Sequence, residues 1–407
     1  MIEPPQGGYP LAMRFLGTML AGLTLGGSLL CSVASGQAQA LEVSPEHSAR
    51  VVTTPWVLHG YVETDWQWNF DKPGNGITNY RGFDNRHDTL TLSNAVLDVA
   101  WDSQDVLGRV ALQVGHTPST YYLAEPTSAG TSGADRSDAE LWKYVQQAYV
   151  GYRFHPFERE LTVQAGIFLS PIGPESMVVH ENWTWSRSNL FFALPFYHTG
   201  ARAALTVSAD WTLTLAVYNG WNSVVDDNRQ KSVSLQAVYA PSRELSWNLL
   251  YFGGVERPTH APEGRPFRQL LDTYLSWQLS ERVALMVHAH GGLEPGRFGT
   301  TTWAGGALSG RLSLLHQLAL AARVDGITEH AAHDAEGTAA RILFPARWVS
   351  SSTLTLDYRP AETISFRLEG RSDHAASNMY FRGRVPSDGS ANARHGETLT
   401  LGLTAWF

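Results

Sequence analysis

The sequence predicts an all-β chain: a transmembrane antiparallel up-and-down β-barrel of about 16 strands, with short periplasmic turns and long outer loops. Three observations predict it: an apolar pattern of period 2 from Val57 onward, connections that alternate short and long, and aromatic residues gathered at two levels.

Composition sets the background. Of 407 residues, 43% are hydrophobic and only 17% charged, below the roughly 25% charged usual in soluble domains. A net charge of −8 argues against a nucleic-acid partner, which calls for a basic surface. The start of the chain reads as an export signal. Met13-Arg14 open a basic region, an apolar stretch runs from Phe15 to Leu30, and Ala38-Gln39-Ala40 fits a signal-peptidase site. Residues 1–40 are therefore expected to be cleaved, residues 41–56 to form a short periplasmic segment, and residues 57–407 to form the barrel. Met1 and Met13 both stand as start codons. Cys31, the single cysteine, falls within the signal, so no disulfide is expected. After Ala40 no apolar run of about 18 residues occurs, which leaves no transmembrane helix.

The strands follow from alternation. In the first, Leu58, Gly60, Val62, Thr64, Trp66 and Trp68 share one face, and His59, Tyr61, Glu63, Asp65 and Gln67 the other. In the seventh, Trp211, Leu213, Leu215 and Val217 oppose Thr212, Thr214 and Tyr218. The segments expected as strands are 57–69, 89–101, 106–115, 141–153, 161–169, 199–208, 211–219, 232–240, 245–252, 269–279, 283–291, 302–312, 317–325, 349–358, 363–371 and 397–407. Each is about ten residues long, enough for a tilted strand to cross a bilayer.

Short connections such as Asp102–Asp105, Ala209-Asp210 and Ser280–Arg282 alternate with long ones such as 116–140, 170–198 and 292–301. A soluble sandwich or propeller has no reason to alternate in this way. Trp66, Trp68, Trp142, Tyr144 and Tyr251 fall at the long-loop end, and Trp101, Tyr152, Trp211, Tyr239, Trp277 and Tyr358 at the short-turn end. Rings at two interface levels are the girdles of a membrane barrel. In the last strand Leu399, Leu401, Leu403, Ala405 and Phe407 share one face. Phe407 resembles the final aromatic by which the barrel assembly machinery recognises its clients.

A longer motif lies between Gly166 and Trp221. Gly166-Ile-Phe-Leu-Ser-Pro-Ile-Gly173 is followed by Glu175, Trp185-Ser-Arg-Ser188, Phe196-Tyr-His-Thr-Gly200 and Tyr218-Asn-Gly-Trp221. This resembles the OmpL-like β-barrel porins of the porin-2 family, with Pro174 departing from the family pattern. The resemblance implies an outer-membrane pore without catalytic residues or cofactors. Small hydrophilic solutes or ions would diffuse through it passively. Its other partners would be outer-membrane lipid and lipopolysaccharide, and a homo-oligomer stays open.

In a barrel this wide the lumen is expected to hold water, so polar faces read as solvated wall. Basic residues on the inward register are Arg109, Lys143, Arg153, Arg202, Arg311, Arg323, Arg359, Arg367 and Arg371. Acidic ones are Glu63, Asp65, Asp98, Asp102, Asp272, Asp325, Asp357 and Glu369. The two sets nearly cancel. The acidic excess should then lie at the mouths, giving at most a mild cation preference at low salt.

The connection 170–198 is rich in Trp and Phe and carries Glu175, His180, Glu181 and Arg187. Such apolar content is unusual for a solvated loop, so it is expected to fold against the inner wall as a constriction. His288-x-His290 places two imidazoles on one strand face, too few for a closed metal site, and no metal is expected. Two other functions remain as alternatives. An adhesin or structural barrel would use the long loops. A barrel enzyme would need a nucleophile, a base and an orienting group, and no recognisable motif supplies them.

Overall fold

The computed structural model describes residues 55–125, 138–226 and 228–407. The expected signal peptide, and all of the segment 41–56 except its last two residues, lie outside the described residues. The first eight strands are β1 (Trp56–Asn69), β2 (Leu90–Ser103), β3 (Val106–Val114), β4 (Val145–Phe154), β5 (Leu161–Leu169), β6 (Tyr197–Thr206), β7 (Trp211–Tyr218) and β8 (Ser232–Tyr239). The remainder are β9 (Leu245–Val255), β10 (Phe267–Gln278), β11 (Val283–Gly296), β12 (Gly299–Leu315), β13 (Leu318–His330), β14 (Trp348–Ala361), β15 (Ile364–Ala375) and β16 (His395–Trp406). Three short helices sit in the connections: α1 (His116–Tyr121), α2 (Ala139–Trp142) and α3 (Asn189–Phe192). Among the described residues no helix is long and apolar enough to cross a membrane. The strands make the crossing.

Every strand pairs antiparallel with its sequence neighbours, and β16 pairs with β1 to close the barrel. Closure matters because an open edge would leave backbone N–H and C=O groups unpaired in hydrocarbon. At the seam, the amide of Phe407 donates to the Gly60 carbonyl at 3.0 Å, and the Gly60 amide donates back at 3.2 Å. The Phe407 ring lies over Gly60, where a β-carbon would approach it to 2.6 Å.

The period-2 pattern separates the two faces as read from the sequence. Leu58 and Val62 on β1, Leu213, Leu215 and Val217 on β7, and Leu401 on β16 point outward and are exposed where lipid would cover them. Glu63, Asp65 and Gln67 on β1 and Thr398, Thr400 and Thr404 on β16 point inward and are buried. Aromatic rings pair across neighbouring strands at the short-turn end. Trp56 meets Trp101 at 5.5 Å and Trp211 meets Tyr239 at 4.8 Å. At the other end Trp66 stacks with Trp68.

Two expectations need correction. Residues 141–144 are not strand. Asp138 caps α2, accepting from the Leu141 amide at 2.9 Å, and a good N-cap starts a helical turn where alternation alone suggested β-structure. Trp142 and Lys143 therefore precede β4, and Lys143 binds Glu140 beside it rather than lining a strand. The span 292–301 is not a long loop either. β11 and β12 stay paired up to Gly296 and Gly299, so only Arg297 and Phe298 connect them.

The two faces of β7 offer a direct test. Leu215→Arg sets a charge in hydrocarbon near mid-membrane, at about 2–4 kcal/mol. Thr212→Arg, on the partly exposed inward side of the same strand, should cost much less. A urea refolding titration of both variants checks the difference; equal losses would mean that the faces are assigned wrongly.

Candidate functional site

The connection between β5 and β6, residues 170–196, has little regular structure beyond α3 and a 3-10 turn at Val179–Glu181. Its backbone groups therefore lack partners within the segment, and buried ones must find them elsewhere. Some come from the loop itself. The Ser188 side chain caps α3 by accepting from the Phe191 amide at 3.1 Å. Glu175 in turn accepts from the Ser188 amide at 3.0 Å and from the Ser188 hydroxyl. The Arg187 guanidinium donates to the carbonyls of Ser176, Met177 and Trp185, folding the loop around itself.

The rest come from the barrel wall. Four inward carboxylates accept loop amides. Glu63 of β1 takes Val179 at 2.7 Å, and Glu369 of β15 takes Trp185 at 2.5 Å and Ser186 at 3.0 Å. Asp325 of β13 takes Asn189, and Asp272 of β10 takes Gly173. Four inward arginines donate to loop oxygens, Arg359 of β14 to the His180 carbonyl at 3.4 Å. Arg367 of β15 reaches the carbonyls of Val179 at 2.9 Å, Thr184 at 3.0 Å and Asn182 at 2.7 Å. Arg323 of β13 holds the Ser186 carbonyl, the Thr184 hydroxyl and the Glu175 carboxylate, each at 2.7 Å. Arg371 of β15 donates to the Arg187 carbonyl. Hydrogen bonds with one charged partner contribute about 1.5–3 kcal/mol each, roughly twice a neutral pair.

Apolar contacts complete the seat. Trp185, 1% exposed, lies flat on Gly402 of β16, where a β-carbon would come within 2.1 Å of its ring. His180 stacks on Trp406 at 4.6 Å and meets the edge of Tyr61 at 5.7 Å. Phe191, Phe192 and Phe196 cluster with Phe83, which a second outer connection brings inward. In that connection Arg81 donates to Thr398 of β16 at 2.8 Å and pairs with Asp84.

Of the residues singled out from the sequence, Glu63, Arg323, Arg367 and Glu369 thus meet Glu175, His180 and Arg187 of the loop or their immediate neighbours. Asp272, Asp325, Arg359 and Arg371 also bind the loop, whereas several others sit apart. Asp65 accepts from the Ser93 hydroxyl. Arg109 pairs with Asp98 at 2.5 Å, and Arg153 with Asp102 at 2.6 Å. Arg202 donates to Gln164 at 2.7 Å and covers the Phe168 ring at 4.2 Å. Glu181 is half-buried on the 3-10 turn. The picture of a plainly solvated wall does not hold at this level, since Glu63, Asp65 and Glu369 are at most 1% exposed. Sequence reading passed over Trp185 on Gly402, Arg81 and Phe83. A glycine on the inward face of the last strand was the available signal, because a strand glycine marks close approach of another group.

The family described as "Putative beta-barrel porin-2, OmpL-like" matches residues 56–405. No curated protein sequence matches the chain. Among solved structures, the outer membrane channel DcaP of Acinetobacter baumannii is similar at TM-score 0.54 and 12% identity, over 86% of this chain and 97% of that one. In-vitro folded OmpT, an outer membrane protein of Vibrio cholerae, gives TM-score 0.52 and 9% identity over 88% and 100%. An anion-selective porin from Comamonas acidovorans gives 0.53 and 10% over 86% and 99%. At such identities the likeness is one of fold.

Two expected outcomes follow from the seat. Arg367→Leu strands three loop carbonyls and should cost about 3–5 kcal/mol, as breaking a buried charged network does. Arg153→Leu, in a pair whose carboxylate is 57% exposed, should cost about 1 kcal/mol or less. Urea unfolding of both variants measures the contrast, and similar losses would argue against a network that holds the loop.

The second concerns pH. Burial, with Arg367 and Arg359 nearby, pushes the His180 imidazole from 6.5 down to about 4. Between these values the undocked ring binds a proton that the docked ring does not, so docking is complete above pH 6.5 and weakens as pH falls toward 4. Channel noise recorded across this window should rise with acid in the parent protein and stay flat in His180→Phe. The same rise in the variant would assign the effect to another group.

Proposed function

The chain belongs to the OmpL-like porin-2 family of outer-membrane porins, and from that premise we propose that its loop segment Glu175–Arg187 narrows the channel. The protein is a porin of the outer membrane, a water-filled barrel through which small hydrophilic solutes or ions diffuse passively. Such a pore filters by width and by the charge along its wall. On this reading the wall charges of β1, β13 and β15 fix the loop that sets the width, and no residue carries out chemistry.

One observation carries the reading. The amides of Val179, Trp185, Ser186 and Asn189 are bound to carboxylates of β1, β15 and β13, strands far around the barrel from β5 and β6, where the loop begins and ends. A segment tied in this way spans the opening rather than resting on its rim. Its charged ties also make it stiff, since each broken contact would leave a buried charge unpaired.

Removing residues 175–187 should raise single-channel conductance in a planar bilayer. The barrel's heat-modifiable migration on gels serves as the check that it has folded. A folded deletion variant with unchanged conductance would take the loop out of the conduction path. Glu63 and Glu369, freed of their loop partners, would then face water without altering the current.

A further inference from the structure

The inward-facing charges fall into two sets, those sealed under the loop and those that stay partly exposed. Those against the loop are buried and bound. The second set includes Arg109 on β3, Arg202 on β6, Arg311 on β12 and Arg359 on β14, the last also donating to the loop's His180 carbonyl at 3.4 Å. All four are partly exposed.

Two of these arginines have a carboxylate. Arg109 binds Asp98 at 2.5 Å and Arg359 binds Asp357 at 3.0 Å, and both acids are themselves buried. The other two have none among the described residues. Arg202 rests on the Phe168 ring at 4.2 Å and donates to the Gln164 amide oxygen. Arg311 reaches only the Ser313 hydroxyl, at 3.4 Å. Arg202 and Arg311 therefore stand on the wall without an ion-pair partner among the described residues.

The exposed acids at the short turns, Asp102, Glu158, Asp210, Glu244, Glu281 and Glu362, sit at the open mouth, where salt screens them beyond about 8 Å. Arg202 and Arg311 lie deeper, between low-dielectric walls that focus their field. A guanidinium offers a planar fork of donors that fits carboxylate and phosphate oxygens, and it is less strongly hydrated than an ammonium. Rings of such groups select anions in pores.

We propose that Arg202 and Arg311 make the short-turn half of the channel selective for small anions, with carboxylates and phosphates as the solute class they fit. The inference rests on the pore reading above and names its substrate class. It reverses the mild cation preference expected from the sequence. That expectation took the wall charges to cancel and assigned the preference to acids at the mouths, whereas Arg202 and Arg311 lack a paired acid among the described residues of the wall.

The test is the reversal potential of purified full-length protein in a planar bilayer across a potassium chloride gradient. The parent channel should favour chloride, more strongly at low salt. Arg202→Gln with Arg311→Gln should shift the reversal potential toward or past zero, and the two Lys variants should retain the sign of the parent. Channels that conduct but favour potassium, or a Gln double variant with unaltered potential, would overturn the assignment while leaving the pore intact. Folded protein that gives no channels at all would overturn the pore reading and this inference with it.

Discussion

Backbone amides and carbonyls at membrane depth must be hydrogen-bonded, because hydrocarbon offers them nothing. A closed barrel meets this demand for its strands through the ladder. It does not meet it for an irregular segment buried against the inner wall, where water is excluded as well. Here the partners come from the wall itself: Glu63, Asp272, Asp325 and Glu369 accept loop amides, and Arg323, Arg367 and Arg371 donate to loop oxygens. The side chains stand where a neighbouring strand would otherwise stand. Much of the inner surface is polar for this reason, and only part of it is polar because it meets water.

This arrangement sorts the charges of one wall into two populations with different consequences. Arg367 and Arg202 occupy inward positions on strands of the same barrel, and both carry the same group. Arg367 is 2% exposed and its donors end on three carbonyls. Arg202 keeps its charge over an aromatic face with no acid beside it. The first acts on the protein's own backbone. The second holds a ring face and an amide oxygen.

The strands were legible because lipid imposes a strict rule on the outward face. Leu213, Leu215 and Val217 alternate with Thr212 and Thr214, and little else in a sequence produces that period over so many segments. The inward face obeys no comparable rule. Glu63 and Asp65 are alike in sequence, yet one holds the Val179 amide and the other a serine hydroxyl. Period 2 says that a residue faces inward and is silent on whether water or another segment waits there. The same pattern misled at Leu141 and Lys143, where alternation continued past the point at which Asp138 starts a helical turn. The loop's aromatic content was readable, but its wall partners could not be paired with it without the register around the whole barrel.

The loop's position in the chain also has a meaning in time. It leaves β5 and returns at β6, but its ties are to β1, β10, β13, β15 and β16. Only β1 precedes it. A chain that lays down its strands in order has no seat for Trp185 until β16, which carries Gly402, is in place. The segment is therefore the last part of the molecule to find its address.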